Sequence, residues 1–295
     1  MNSPVRDDSI LPVTRVVHGA LALVVAPFAW ALTLHPDRTA ENFSWPIGPT
    51  MSAMFFGALY AAVVFGYLRV AFSRRWHEVA LVLFATLPVL ALLGLVSILH
   101  WEKFAHGTVR IWVWITAYFV FPPVLLAMIL LNRGRDPRTH EPLEVEVPAS
   151  VRHTTLVLGI LVGLVGLGLL VAPVRVAGIW PWTMKPLAAQ AIGCLLLAPA
   201  VVQLVAARER RWSALRLPTQ IAILWFTFVL AAVARAWPEF DRARPSTWVF
   251  LVFIALEWIL AVATYFVLEA RRQRAANLVT DGERAVPAEM GAARS

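Results

Sequence analysis

Eight apolar runs, each close to 20 residues long, leave this chain few folds to choose from. They cover residues 12–34, 48–71, 79–100, 110–132, 154–174, 186–206, 216–236 and 248–269. A helix needs about 20 apolar residues to cross the hydrocarbon core, and in lipid every backbone N–H and C=O must be bonded inside the element. The expectation is an all-α, polytopic membrane helical bundle of eight transmembrane helices. A mean hydropathy of +0.69 with only 15% charged residues excludes an ordinary soluble domain. A net charge of +8 would suggest nucleic acid as the partner of a soluble protein. Here the arginines gather at the ends of the apolar runs, where they set topology, so no nucleic-acid partner is expected. The single cysteine, Cys194, lies within an apolar run and reads as a small packed residue.

The second constraint is a repetition. Arg74-Arg75-Trp76, Trp101-x-x-Phe104 and Trp112-Val113 recur 136 residues later as Arg210-Arg211-Trp212, Trp237-x-x-Phe240 and Trp248-Val249. Earlier in the chain the spacing is 137: Arg15 with Arg152, Pro36 with Pro173, Arg38 with Arg175, Trp45 with Trp182. Gly57 and Gly193 are back at 136, so one residue is missing from the loop before the later of these two helices. The chain therefore reads as two four-helix repeats, 1–132 and 154–270, joined by a cytoplasmic linker 133–153 that contains Glu141, Glu144 and Glu146. An even number of helices per repeat makes the repeats parallel, related by a pseudo-two-fold axis along the membrane normal. Residues 271–295 are charged and aperiodic, and are expected to be a disordered tail.

Of the 26 Lys and Arg residues, 18 fall on the side that holds both Arg-Arg-Trp motifs. By the positive-inside rule that side, with both termini, is cytoplasmic. Ala22, Ala26 and Ala29 in the first helix match Gly159, Gly163 and Gly166 in the fifth. Positions i, i+4 and i+7 share one helical face, and small residues there let backbones approach in lipid. This places helices 1 and 5 at the packed centre, near the axis.

Glu257 is the most unusual residue. It lies nine positions inside Trp248, roughly 13 Å deep at 1.5 Å per residue, where an ionisable group is costly and marks a function by default. The other reading is a hydrogen-bonded structural carboxyl. Its counterpart at the 136 spacing is Phe121, next to Pro122-Pro123, which should bend the fourth helix. His18, on the face of Ala22, together with Gln190, Gln220 and Tyr118, completes the candidate substrate-binding set; each also reads as a packed, hydrogen-bonded group. Gln203 reads as interhelical glue, and Arg235 has Glu239 as its nearest candidate partner. Trp45, His100, Trp101, Trp182 and Arg235 form a candidate outer vestibule, with interfacial anchoring as the alternative for the tryptophans.

His35, His100 and His106 lie at the outer side, and His77, His140 and His153 at the inner side. No second mid-membrane histidine faces His18, which argues against a bis-histidine haem. No metal-binding, phosphate-binding or nucleophile motif is present, so no metal, cofactor or catalytic residue is expected.

The run Pro36-Asp-Arg-Thr-Ala-Glu-x-Phe43-x-Trp45-Pro-Ile, with His100-x-x-x-Phe104, Tyr118 and Pro122-Pro123, resembles a group of uncharacterised polytopic membrane proteins of actinobacterial type. The resemblance lies mainly in the first half. It implies a bacterial inner-membrane location and carries no activity. The leading expectation is a carrier or permease-like protein for a small solute or lipid-like molecule, with its site between the repeats near Glu257. A non-catalytic scaffold or assembly factor that holds membrane-protein partners is the alternative. An enzyme acting on lipid-linked substrates is the weakest reading, since paired acidic or histidine groups at one interface are lacking.

Overall fold

The computed structural model describes residues 7–139 and 143–292, with side chains up to residue 278. His140 and Glu141 lie outside the described residues. Among those described, eight helices are long and apolar enough to cross a membrane: α1 Pro12–Leu34, α2 Thr50–Phe72, α3 His77–Leu99, α4 Val109–Asn132, α5 Ala149–Val171, α6 Pro186–Ala206, α7 Trp212–Arg235 and α8. The last is a single helix, Pro245–Ala292, of which Pro245–Leu278 is the candidate span. By helix length and hydropathy this is a multi-pass membrane protein of all-α architecture.

Several boundaries depart from expectation. The linker is shorter than 133–153, because α5 begins at Ala149 with Pro148 just ahead of it, where its missing N–H costs nothing. Residues 271–292, expected to be disordered, continue α8 as helix. Arg271, Arg272, Gln273, Arg274, Ala275 and Ala276 are good helix formers, and they extend a helix already nucleated by the span. In α4 the helix loosens into a π turn, Thr116–Val120, before resuming at Phe121–Asn132. Pro122 and Pro123 cannot donate to the carbonyls one turn back, and the π turn absorbs the mismatch. The Tyr118 carbonyl lies so close to Gly94 that a β-carbon there would come within 2.7 Å of it.

Helices α1 and α5 are not at the centre. Each packs along one neighbour, α1 on α2 and α5 on α6, while the middle of the bundle is made by α2, α3, α6 and α7. The small-residue faces do permit close approach, but to that single neighbour. A β-carbon on Gly159 would lie 2.8 Å from the Gln203 Cβ, and one on Gly193 would lie 2.7 Å from the Gly166 carbonyl oxygen. The remaining faces of α1 and α5 carry exposed large apolar side chains such as Leu23 and Val171, as lipid contact requires.

Both ends of the bundle are tied by main-chain bonds that recur at the 136–137 spacing. At the basic end Ile10 N donates to Arg74 O (3.0 Å) and Val147 N to Arg210 O (2.8 Å). Trp76 N donates to Asp8 O (2.7 Å) and Trp212 N to Val145 O (3.1 Å). Asp8 and Glu144 then accept from His77 N (3.1 Å) and Ser213 N (2.9 Å), satisfying orphan donors at the starts of α3 and α7. At the aromatic end Ala105 N donates to Ser44 O (2.8 Å) and Asp241 N to Pro181 O (2.9 Å). Trp45 stands 5.3 Å from Phe104, and Trp182 stands 5.3 Å from Phe240, centroid to centroid. Trp76 and Trp212 are each only 1% exposed. They are wedges sealing the starts of α3 and α7.

Glu239 binds across the halves. Its carboxylate accepts from Thr50 Oγ1 (2.5 Å), Thr50 N (3.0 Å) and Met51 N (2.8 Å), capping α2. Glu239→Ala is therefore expected to lower stability by about 1–2 kcal/mol, the usual worth of an N-cap. Denaturant unfolding in detergent, followed by tryptophan fluorescence, checks this; an unchanged midpoint would show that the cap contributes nothing.

Candidate functional site

A helix bundle that crosses lipid gains nothing from an internal gap, so a cavity beside an ionisable side chain is the first place to look for a function. One such cavity, of about 320 Å³, lies within the second half. Helices α5, α6, α7 and α8 all line it, with Trp212 and Val147 toward the basic end and Glu257 deeper in. Helix α8 leans on α7 and α5 on α6, without extensive contact between α5 and α8. The crevice runs between these two. It is not between the halves, where the site was expected, because α2, α3, α6 and α7 fill the middle of the bundle with buried Met51, Phe55, Phe56, Trp225 and Phe226.

Glu257 is 4% exposed and accepts from Gln203 Nε2 at 3.0 Å on each carboxylate oxygen. Five hydroxyl-bearing residues, Ser150, Thr154, Thr155, Thr219 and Thr264, also line the cavity, and two have their protons engaged: Thr155 Oγ1 donates to Val151 O (2.7 Å) and Thr219 Oγ1 to Leu215 O (2.8 Å). Gln203 Oε1 is buried and has no hydrogen-bond partner among the described residues. Among the cavity-lining residues Glu257 is the one ionisable side chain.

Residues at the 136–137 spacing differ in size and polarity from those that line the space. Where the second half has Glu257, Ala261, Thr264, Thr219, Gln203 and Thr155, the first half has Phe121, Leu125, Met128, Leu83, Tyr67 and His18. Those six are all buried, none more than 7% exposed. His18 packs edge-on against Tyr67 (5.3 Å) and Phe121 (6.1 Å), and its Nδ1–H donates to Thr14 O (2.7 Å). Asn132 closes the basic end of the same region by donating to Thr14 Oγ1 (3.2 Å) and accepting from Leu11 N (3.2 Å). Large side chains fill the first crevice; smaller and more polar ones leave the second open.

The candidate site residues are therefore scattered. Glu257 alone lines the cavity. His18 is in the filled crevice of the first half. Tyr118 bonds Tyr60 (2.8 Å), and Gln220 donates to the Tyr265 hydroxyl (3.1 Å). Gln190 accepts from His100 Nε2 at 2.6 Å and donates to Leu170 O at 3.0 Å, on the opposite end of the bundle from the cavity mouth. The outer vestibule is closed. Trp45 and Trp182 are 2% and 1% exposed, and Trp182 Nε1 donates to Ser52 Oγ (2.9 Å). Arg235 donates to Thr33 O (2.7 Å) and Leu34 O (3.1 Å), capping α1 instead of pairing with Glu239. Only Trp101 among the vestibule tryptophans remains exposed. Aromatic side chains next to an outer loop bury more area by folding inward than by lining water.

Gln203, Thr155 and Thr219 were not singled out as site residues by sequence reasoning. The signal that could have found them is the change from a large to a small or polar residue at matched positions on three separate helices.

One polar line at the basic end has the order of a hydrolase triad: Asp8 Oδ2, His77 Nδ1 (2.5 Å), His77 Nε2 and Ser213 Oγ (3.1 Å). The roles do not follow. Ser213 Oγ donates to Glu144 Oε2 (2.5 Å), so it meets His77 as an acceptor and has no proton to give the imidazole. This is a tie between α3 and α7. No group of three or more metal-ligating side chains occurs among the described residues.

Comparison with protein-family models, with curated proteins and with solved structures finds no match for this chain.

Proposed function

We propose that this protein is a carrier or permease-like membrane protein that holds a small solute or lipid-like molecule in the crevice beside Glu257. The observation that carries the reading is the opened crevice itself. A buried carboxylate at the edge of a 320 Å³ space is a costly arrangement for a bundle that needs only to be stable, since filling the gap with Phe121-like and Leu125-like side chains is the solution the first half uses.

The architecture proposed is a duplication with parallel repeats. Its supports are the paired main-chain bonds at both ends, and the packing of α2 with α7 and of α3 with α6, which exchange under a two-fold axis. His77 and Ser213, matched at the 136 spacing, also touch each other, as residues near such an axis do. The location proposed is a bacterial inner membrane, with the basic end and both termini in the cytoplasm, on the distribution of arginine. The cavity mouth then faces the inner leaflet.

Filling the crevice tests the reading. Ala261→Phe is expected to abolish retention of a co-purifying small molecule, read by mass spectrometry of organic extracts from the purified protein. Its melting temperature in detergent should stay within a few degrees, because the added ring enters empty space. An extract identical to that of the unaltered protein, from a variant that folds, would sink the proposal.

A further inference from the structure

One group sets the crevice apart from an ordinary polar pocket: Glu257, the one ionisable side chain that lines it, near which several hydrogen-bonding protons are already spent. The Gln203 amide N–H groups go to Glu257, the Thr155 and Thr219 hydroxyl protons go to carbonyls one turn back, and Trp212 Nε1 donates to Glu269 (2.8 Å). What lines the space is the Glu257 carboxylate together with the hydroxyl-bearing Ser150, Thr154, Thr155, Thr219 and Thr264, while Gln203 Oε1 is buried beside them without a partner among the described residues. An occupant that only accepts hydrogen bonds leaves the Glu257 carboxylate with no donor beyond Gln203 and adds nothing for the buried Gln203 Oε1. An anion adds repulsion from Glu257. A donor with positive charge satisfies the acceptors and compensates the carboxylate together.

Charged groups near the crevice do not supply that compensation. Arg216 is the closest basic residue on α7 by sequence, and it is committed to Glu269 on α8 (2.8 Å) at the basic end. The polar residues of α6 and α5 that line the space are Gln203, Ser150, Thr154 and Thr155, all uncharged; Arg152 on α5 does not line it. The remaining walls are mostly apolar, with Leu158, Val202, Leu215, Ala222, Leu260 and Ala261 beside the hydroxyls of Ser150, Thr154 and Thr264. The space is suited to a small cationic head with an apolar body, entering sideways between α5 and α8 where those helices stand apart.

We infer that the occupant is an amphiphile bearing a protonated primary amine, with its ammonium group at Glu257. This rests on the proposal that the crevice is a ligand site, and adds the chemical class. A free alkylamine and the amine of a lipid headgroup share that chemistry.

The test uses the full chain in phosphatidylcholine nanodiscs, titrated with radiolabelled dodecylamine, dodecanol or dodecanoate, with empty nanodiscs subtracted for partitioning. Saturable binding of dodecylamine, at least tenfold tighter than dodecanol and with dodecanoate weakest, is expected. Glu257→Gln preserves shape and should remove the preference for the amine, leaving dodecanol unchanged. Gln203→Leu should weaken amine binding without reversing the preference. Phosphatidylethanolamine added to the disc competes if the lipid headgroup is the source; absence of competition points to a free amine. Equal binding of amine and alcohol, or an amine preference that survives Glu257→Gln, overturns the inference while leaving the crevice a ligand site. No saturable binding of any of the three overturns both.

Discussion

Gly193→Leu is expected to cost the protein at least about 3 kcal/mol of stability, at or above the upper end of ordinary overpacking. A side chain at this position has nowhere to go. Its first carbon would already lie 2.7 Å from the Gly166 carbonyl oxygen, 2.9 Å from Leu170 N and 3.0 Å from the Leu169 Cβ. Two of the three are backbone atoms of α5, so relief requires the helix to move as a body. Gly57→Leu meets the same obstacle on α2, at 2.6 Å from Thr33 Oγ1, 2.8 Å from Thr33 N and 2.9 Å from the Leu32 carbonyl carbon. In lipid, where helices gain little by leaving the solvent, this contact is a large share of what holds α1 to α2 and α5 to α6. Both variants should melt roughly 6–12 °C lower in detergent. Gly178→Leu is the control, because nothing lies within 4 Å of a β-carbon there. Equal melting of Gly193→Leu and Gly178→Leu would show that the helices do not meet as described.

Arg211→Ala is the second change with a large expected effect. The guanidinium is 9% exposed and holds Asp136 bidentately (2.7 and 2.9 Å) and Glu209 (2.9 and 3.1 Å), tying the linker to the start of α7. Removing it takes from both carboxylates the guanidinium that they share. Breaking a fully buried pair costs about 3–5 kcal/mol. Here the carboxylates keep 20% and 23% of their surface exposed, so about 2–3 kcal/mol is expected once water screening is allowed for. The triple variant Arg211→Ala, Asp136→Asn, Glu209→Gln should recover at least half of the loss, because neither carboxylate charge is then present. A single variant as stable as the unaltered protein would rule out this account.

The same cluster sets an acid response. Burial by itself pushes the Asp136 and Glu209 carboxyls up, but their bonds to Arg211 outweigh it and hold both below the usual carboxylate range. A folded value below the unfolded one means the stabilisation is fully present above the unfolded value, about pH 4. It is lost as pH falls from there through the lowered folded values. Arg211→Ala should therefore flatten the decline in stability below about pH 4, measured as melting temperature against pH.

Much of the architecture was legible in the chain itself. The eight spans follow from the length of the apolar runs, because lipid offers the backbone no other partner. The tryptophan and arginine motifs recur at one spacing, and Glu257 stands out in α8 against Phe121 at that spacing. What local sequence could not say was which neighbour a small-residue face would meet. Ala22 and Gly159 permit close approach to any helix, and only the assembled bundle places α2 and α6 against them, leaving α1 and α5 outside. Nor could it say that Trp45 and Trp182 turn inward, since an amphipathic ring suits an interface and a packed corner equally well. The site shows the same division. That Glu257 is buried and costly was readable from its depth in the last span. That it borders a space, in company with Gln203, Thr155 and Thr219, depends on four helices brought together and on side chains too small to close the gap between two of them. Helix periodicity is a local property of the chain; a cavity is a deficit of volume among distant residues, and it exists only once they are packed.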